Sequence, residues 1–290
     1  MNTPSTVNQP AELLAFLFVS HADVKKAKVR QWLQHGAVQV NGRVTTQFNH
    51  RLRAGDVVAI RGKDEALALN ALPHGLHILF EDESLLVIEK PAGLLSMASE
   101  TERERTAYAH LTDYVRRGNP RSQVRVWIVH RLDRETSGLM VLAKSEEAKT
   151  TLQAEWNEAD KRYLAVVEGH LPADEGVMRS HLDESRPYMV YSVQRPNELT
   201  RLAVTNYRVL KRGASYSLLE LSLETGRRNQ IRVHLADAKC PVVGDEKYGA
   251  RTNPARRLAL HASSLQFPHP TSGELLKFES PLPVELARLT

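Results

Sequence analysis

Cysteine is almost absent from this chain of 290 residues, which contains only Cys240. A single cysteine cannot form an internal disulfide, which is typical of proteins from reducing compartments. No general base lies beside Cys240 in the sequence, so a packed thiol is favoured over a nucleophile. There is no cysteine cluster for zinc, and the pair His74 and His77 lacks a third ligand. We therefore expect neither a disulfide framework nor a metal site.

Long apolar segments are also missing, and no run reaches the length that spans a bilayer. Residues 1–10 are polar and lack the basic-then-apolar order of a signal peptide. The glycine-rich loops that bind nucleotides and the Gly-x-Ser-x-Gly turn of serine hydrolases are absent. These absences predict a cytoplasmic protein without a membrane partner, and an activity that needs no metal, nucleotide or redox cofactor.

The composition is that of a globular protein with a modest excess of basic residues. Hydrophobic residues make up 42% of the chain, which is enough to bury a core at this length. The 39 Lys and Arg residues outnumber the 34 Asp and Glu residues, giving a formal charge of +5. This excess favours a polyanionic partner, but many enzymes share it, so charge alone does not identify RNA.

Periodicity divides the chain into a small N-terminal unit, a linker and a large C-terminal unit. Residues 11–61 combine two helical segments with short strands, and Asn41-Gly42 is a hairpin turn signal. Residues 62–75 lose periodicity and are predicted to be a linker. Residues 76–290 mix strands and helices without strict alternation, which favours an α+β fold with a mixed, mainly antiparallel sheet. Its predicted helices cover 106–117, 146–154 and 230–238, and its predicted strands cover 76–80, 85–89, 126–129, 139–143, 163–167, 202–210 and 216–223.

Ionisable residues are concentrated between two predicted strands, where five of them fall within positions 130–135. Turns at strand ends often carry functional side chains because rigid neighbours hold them in place. Asp133 is therefore a candidate catalytic carboxylate. The alternative is that Asp133 caps the turn while Arg131 and Arg134 are its solvated ion-pair partners. Spacing alone leaves both interpretations open.

A second polar cluster occupies residues 224–234, directly after a predicted strand. Gly226 permits a sharp turn before the predicted helix, and the donors Arg227, Gln230 and Arg232 follow it. A turn that leads into a helix N-terminus is well suited to phosphate binding. An ordinary solvated basic helix face is the alternative.

These segments resemble, in order along the chain, the signature of the RluA family of pseudouridine synthases. The matching segments span about residues 76–283. The matches are Glu-Lys-Pro-Ala-Gly at 89–93, His-Arg-Leu-Asp at 130–133, Thr-Ser-Gly at 136–138, Lys-Arg-Tyr-Leu-Ala at 161–165, Thr-Gly-Arg at 225–227, Gln-Ile-Arg-Val-His at 230–234, and C-terminal blocks at 241–249, 260–262 and 269–270.

The resemblance implies an RNA isomerase that converts uridine to pseudouridine without a cofactor. Asp133 would be the catalytic carboxylate, and Arg232 would pair with it and keep it ionised. Tyr163 would stack on the uracil or remove its C5 proton; an ordinary phenol, with a pKa of about 10, is a poor base at neutral pH. Arg131 would fill the space that the extruded base leaves, or pair with a phosphate or carboxylate.

Three further residues are candidates for substrate contacts. Arg227 and Gln230 supply hydrogen-bond donors beside the proposed site. Lys90 either contacts a phosphate or closes the site.

The N-terminal unit, residues 11–61, resembles an S4 RNA-binding domain. The resemblance implies that Lys25, Lys26, Lys28 and Arg30, on and beside its second helix, contact RNA. A solvated helix face is the alternative.

The chain departs from the family pattern in two places. Arg228-Asn229 stands where many members carry Thr or Lys followed by His, and the run 94–99 lacks a histidine that many members have. Neither departure replaces a proposed catalytic residue, so we expect both to affect substrate choice and not reaction type.

Ribosomal RNA of the large subunit is the expected substrate, because family members with an S4 domain often act on it. Transfer RNA is an alternative substrate, and a non-catalytic RNA-binding protein is an alternative function. A hydrolase that uses Asp133 and Glu135 as acid and base is a third possibility. We expect a monomer that does not bind DNA.

Overall fold

The computed structural model describes residues 4–34, 37–45, 48–61, 71–116, 119 and 121–290. Most of the predicted linker, residues 62–70, lies outside the described residues. None of the helices in these ranges has the length and apolar character needed to cross a bilayer.

The N-terminal unit packs two helices against short strands. Its core is formed by Leu13, Leu17, Val29 and Leu33, which are fully buried. The predicted helices are present, although residues 11–12 form a strand before the first of them. The elements are α1 (Leu13–Ser20), α2 (Lys26–Gln34), β1 (Ser5–Thr6), β2 (Ala11–Glu12), β3 (Val38–Val40), β4 (Arg43–Val44), β5 (Arg51–Leu52) and β6 (Val57–Ile60). One sheet has the order β1-β6-β3-β4, and β2 pairs with β5.

The C-terminal unit is built on a sheet of twelve strands. Its strands are β7 (Ala71–Leu72), β8 (Leu76–Glu81), β9 (Leu85–Lys90), β10 (Trp127–Ile128), β11 (Ser137–Ala143), β12 (Asp160–Glu168), β13 (Glu175–Asp183), β14 (Tyr191–Val193), β15 (Thr200–Arg212), β16 (Tyr216–Leu223), β17 (Leu260–Pro268) and β18 (Leu275–Glu279). The helices are α3 (Ala107–Val115), α4 (Glu146–Ala154), α5 (Gln230–Asp237) and α6 (Val284–Ala287), with 3-10 turns at Pro73–Gly75 and Glu246–Tyr248.

The strand order is β14-β13-β15-β16-β12-β17-β11-β9-β8-β7, with β10 paired to β11 and β18 paired to β17. Among the described residues, each pairing in this sheet is antiparallel except the parallel pair β11 and β17. The predicted α+β fold with a mixed, mainly antiparallel sheet is therefore confirmed. Residues 71–72 of the predicted linker lie in this sheet, because β7 pairs with β8.

Strand β11 crosses the centre of the sheet and is buried along its whole length. Met140 and Leu142 pack into one apolar cluster, and Leu139 and Val141 pack into the cluster on the opposite face. Burial on both faces explains its continuous apolar sequence. The turn that carries Asp133 precedes this strand, so the candidate carboxylate is attached to a strand that is buried on both faces.

Gly138 permits an unusually close approach between β11 and β17. Its φ is +113°, and a Cβ atom at this position would lie 2.2 Å from the carbonyl oxygen of Ala262. Any side chain would therefore push the two strands apart. This contact keeps β17 close to the start of β11.

Candidate active site

The turn that carries Asp133 is held by hydrogen bonds from a separate part of the chain. The Ser96 hydroxyl donates to the carbonyl of Leu132 (2.7 Å) and accepts from the Leu132 amide (3.1 Å). The Gly93 amide donates to the carbonyl of Arg134 (2.9 Å). Contacts on both sides of Asp133 fix the backbone position from which its carboxylate projects.

Asp133 opens onto a cleft of about 390 Å³. The cleft brings together six of the residues singled out in the sequence: Arg131, Asp133, Tyr163, Arg227, Gln230 and Arg232. It is also lined by apolar side chains, including Leu223, Ile231 and Leu260. A concave, partly apolar surface with a few convergent polar groups is typical of a binding site for a small molecule or group.

Arg232, in the first turn of α5, bridges two carboxylates. Its Nη1 donates to Oδ2 of Asp133 (3.1 Å), while Nε and Nη2 donate to Asp245 at 2.7 Å each. The guanidinium carbon also lies 4.9 Å from the ring centroid of Tyr248. Burial opposes the charge on Arg232, but the two carboxylates outweigh it and raise the pKa of Arg232 above its ordinary value. The guanidinium is therefore a permanent positive charge beside Asp133.

Tyr163 lies on β12 at an irregularity in the pairing with β17. The register shifts between Arg162 and Tyr163, and a bulge of this kind reorients the side chain next to it. Burial and the nearby Asp133 carboxylate raise the pKa of Tyr163 well above its ordinary value. The phenol therefore stays protonated at neutral pH, which favours the stacking role over that of a general base.

Asn229 contacts Asp133, which the sequence did not indicate. Its Nδ2 donates to Oδ2 of Asp133 at 2.5 Å. Asn229 precedes α5 with a φ of 53°, in the left-handed region that asparagine tolerates better than most residues. The Arg228-Asn229 departure from the family pattern therefore places a side chain in direct contact with the candidate carboxylate, and its expected effect on substrate choice stays a prediction.

Lys90 does not lie where it could contact a phosphate, which was one of its two predicted roles. It is fully buried, and its Nζ donates to the carbonyls of Pro91 (2.9 Å), Leu94 (2.7 Å) and Arg134 (3.1 Å). Burial lowers the pKa of Lys90. The three carbonyl acceptors equal in number the three N–H donors of an ammonium group. The structure favours the other alternative, in which Lys90 supports the wall of the site from behind the Asp133 turn.

Gln230 also has no group left for the substrate. Its Oε1 accepts from the Thr225 hydroxyl (2.7 Å) and the Arg227 amide (3.1 Å). Its Nε2 donates to the Val204 carbonyl and the Thr205 hydroxyl, at 2.9 Å each. Because the side chain is buried and its four hydrogen-bonding positions are filled, the prediction of a substrate contact was wrong. Gln230 instead joins α5 to β15.

The remaining candidates are exposed. Arg131 and Arg227 line the cleft and are exposed to solvent. In the N-terminal unit, Lys25, Lys26, Lys28 and Arg30 are all exposed. The cationic groups of Lys26 and Arg30 lie 5.4 and 5.3 Å from the ring centroid of Phe18. These positions leave all six side chains accessible to a polyanion.

Two family models match the chain. A model described as RNA pseudouridylate synthase matches residues 84–237, and a model of the S4 domain matches residues 13–58. The first includes Asp133, Tyr163, Asn229 and Arg232, and the second includes the basic residues of α2.

Curated relatives resemble the chain over nearly its whole length. It is 35% identical over 296 residues to the "Uncharacterized RNA pseudouridine synthase YlyB" of Bacillus subtilis, which covers 99% of this chain and 95% of the relative. It is 32% identical over 286 residues to the "Ribosomal large subunit pseudouridine synthase D" of Vibrio cholerae, covering 92% of this chain and 86% of the relative.

Solved structures show the same architecture. "Human RNA Pseudouridylate Synthase Domain Containing 4" aligns with a TM-score of 0.61 at 27% identity, covering 78% of this chain and 94% of that chain. "Human RNA Pseudouridylate Synthase Domain Containing 1" aligns with a TM-score of 0.57 at 26% identity, covering 71% and 83%. Sequence relatives and structural neighbours thus agree on the catalytic unit.

Proposed function

The chain belongs to the RNA pseudouridylate synthase family and isomerises uridine in RNA, and we propose that its substrate is the ribosomal RNA of the large subunit. The names of relatives such as the Vibrio cholerae enzyme support this substrate. The contact between Asp133 and Arg232 at the cleft, 3.1 Å long, carries the assignment of the site. We place the enzyme in the cytoplasm, where this RNA is assembled into ribosomes in bacteria.

The reaction needs few groups from the protein. The bond between N1 of uracil and C1′ of ribose breaks, the base turns, and C5 bonds to C1′. The proton lost from C5 is balanced by the proton that N1 gains, so no external reagent is consumed. We assign the carboxylate that acts at the sugar or base to Asp133, its charge partner to Arg232 and the stacking surface to Tyr163. All three line the cleft.

The target uridine must leave its stack before Asp133 can reach it. Arg131 is exposed, lies two residues from Asp133 and lines the same cleft. We propose that its guanidinium occupies the space that the uracil leaves in the RNA, where it can stack on neighbouring bases. Arg227 is positioned to bind a phosphate next to the extruded nucleotide.

Comparison of pseudouridine maps tests the substrate. Total RNA from cells with and without the gene is mapped, and the purified enzyme is then returned to the RNA that lacks it. We expect one or a few sites in large-subunit ribosomal RNA to depend on the enzyme. Loss confined to transfer RNA would overturn the proposed substrate. Release of free uracil would support a hydrolase, and the absence of any dependent site would support a non-catalytic RNA-binding protein.

The exposed basic residues of the N-terminal unit are proposed to bind RNA phosphates. Lys25 and Lys28 allow a clean test, because neither shares the Phe18 contact of Lys26 and Arg30. In the double variant Lys25→Gln/Lys28→Gln, we expect weaker RNA binding. The slope of log affinity against log salt concentration should shrink by about 1.4 to 1.8, because each phosphate contact contributes about 0.7 to 0.9.

A matched pair of exposed cations provides the control. Lys277 and Arg288 are exposed in the C-terminal unit and lie outside the cleft. The variant Lys277→Gln/Arg288→Gln changes the net charge equally, and we expect an unchanged salt slope. Equal slopes for both double variants would mean that the basic residues beside α2 are only a solvated surface.

A further inference from the structure

We propose that Asn229 is a positioning residue that locks the Asp133 carboxylate, so that Oδ2 is held by the protein and Oδ1 faces the substrate. The inference rests on the proposed function of Asp133. It concerns a contact between residues 96 positions apart in the sequence.

The orientation of the Asn229 amide is determined by a cation. Lys247 Nζ lies 3.2 Å from Oδ1 of Asn229, and an ammonium group can only donate a hydrogen bond. The Tyr248 hydroxyl donates to the same oxygen at 3.1 Å. With its oxygen on this side, the amide must present Nδ2 to Asp133. Lys247 and Tyr248 thereby force Asn229 to act as a donor to the carboxylate.

The two oxygens of Asp133 are not equivalent. Oδ2 accepts from Asn229 Nδ2 at 2.5 Å and from Arg232 Nη1 at 3.1 Å. Oδ1 accepts a hydrogen bond from none of the residues that the structure describes. Two donors on one oxygen fix the rotation of the carboxylate about its last bond. Oδ1 is then the oxygen left to meet the sugar or the base, in a fixed direction.

Several charged or titratable groups surround this contact. They are Lys90 from β9, Tyr163 from β12, Arg232 from α5, and Asp245, Lys247 and Tyr248 from the segment after α5. Arg232 places a positive charge beside Asp133, while its Nε and Nη2 donate to Asp245. Asn229 is a neutral donor that contacts Asp133 and adds direction without adding charge.

The test uses three substitutions at Asn229 in the full-length enzyme. Asn229→Gly removes the carboxamide and suits the left-handed backbone. Asn229→Asp keeps the shape but replaces the donor with a like charge. Asn229→His returns a ring N–H donor at the position of Nδ2, and histidine also tolerates this backbone region. Single-turnover rates, KM and melting temperature are measured for each variant on the same RNA.

We expect the single-turnover rate of Asn229→Gly to fall by about tenfold to a hundredfold, as for loss of a hydrogen bond to a charged group. KM should change little, because Asn229 acts through Asp133. The acid limb of the pH–rate profile should move to higher pH in Asn229→Gly and further in Asn229→Asp. Asn229→His should recover part of the rate.

Asn206→Ala is the matched control. The Asn206 carboxamide also donates to a carboxylate, that of Glu224 (3.0 Å), but at an exposed place on β15. We expect wild-type kinetics from it. If Asn229→Gly melts like the wild type and retains the wild-type rate and acid limb, the positioning role is wrong. A fully active Asp133→Ala would instead overturn the proposed catalytic role of Asp133, so the two failures are distinguishable.

Discussion

Asp133→Asn should lose at least about a thousandfold in the rate of pseudouridine formation, the scale of loss seen when a reacting side chain is removed. The amide has almost the size of the carboxylate but cannot carry its negative charge. Tritium release from RNA labelled at C5 of uridine measures the rate directly. RNA affinity should stay within about threefold of wild type, because phosphate contacts dominate binding.

The fold of the Asp133→Asn variant should be preserved. Arg232 keeps both of its 2.7 Å hydrogen bonds to Asp245, so no buried charge loses its partner. Glu135→Gln is the matched control, because it makes the same change of charge at an exposed site two residues away. We expect near wild-type activity from it. If both variants lost activity equally, the two carboxylates would be acting as an acid and base pair.

If Asp133→Asn instead lost RNA binding along with turnover, Asp133 would be a structural residue. Its contact with Arg232 would then serve only to join the Asp133 turn to α5. Circular dichroism and melting temperature, measured on the same preparations, separate this outcome from simple misfolding.

Arg232→Met should lower the free energy of unfolding by about 3–5 kcal/mol, the usual cost of breaking a buried ion pair from one side. The Asp245 side chain is only 1% exposed, so it would be left charged and without its hydrogen-bonded cation. The enzyme should also lose activity, because Asp133 loses its charge partner. Urea denaturation measures the free energy of unfolding, and tritium release measures the activity.

The double variant Arg232→Met/Asp245→Leu separates stability from catalysis. Replacing both charged groups with apolar ones should recover most of the stability, because no buried charge remains unpaired. Activity should stay low, because Asp133 still lacks its guanidinium. A loss of less than about 1 kcal/mol in Arg232→Met alone would mean that the pair behaves like an exposed salt bridge. In that case it would not be a structural element of the site.

The sequence predicted the fold class, and it predicted that Asp133, Tyr163 and Arg232 line one site. The two predictions rested on different kinds of evidence. Apolar periodicity located the strands of the sheet core, such as Tyr216–Leu223, and helix Glu146–Ala154. The meeting of the three site residues came only from the family resemblance. Periodicity by itself does not show that residues 99 positions apart, such as Asp133 and Arg232, form a contact.

Five strands of the large sheet were missed, and the two longest of them, with nine residues each, do not look like strands in sequence. Glu175–Asp183 carries charged and polar residues, and most of its residues are only partly buried or exposed. Leu260–Pro268 is mostly buried but includes small and polar residues, among them His261, whose ring bonds to Ser137 and Ser280. Their place in the sheet is decided by neighbouring strands and not by local pattern.

The polar residues Lys90, Gln230 and Asn229 show a second limit of sequence reasoning. Lysine and glutamine are usually exposed, and both residues were candidates for substrate contacts, yet backbone and side-chain partners from distant segments occupy their polar groups. Asn229 was noticed only as a departure from the family pattern. Residue type gives the hydrogen-bonding capacity of a side chain, and only the fold decides which partner uses it.

The position of β17 determines when a newly made chain can first form the active site. This strand, residues 260–268, lies between β11 and β12, which support Asp133 and Tyr163 respectively. During translation, both of those strands leave the ribosome before β17 is made. The site therefore cannot close on the nascent chain until β17 has emerged, long after the strands that support Asp133 and Tyr163. A nascent chain that stops before residue 260 should be inactive, even though it already carries Asp133, Tyr163 and Arg232.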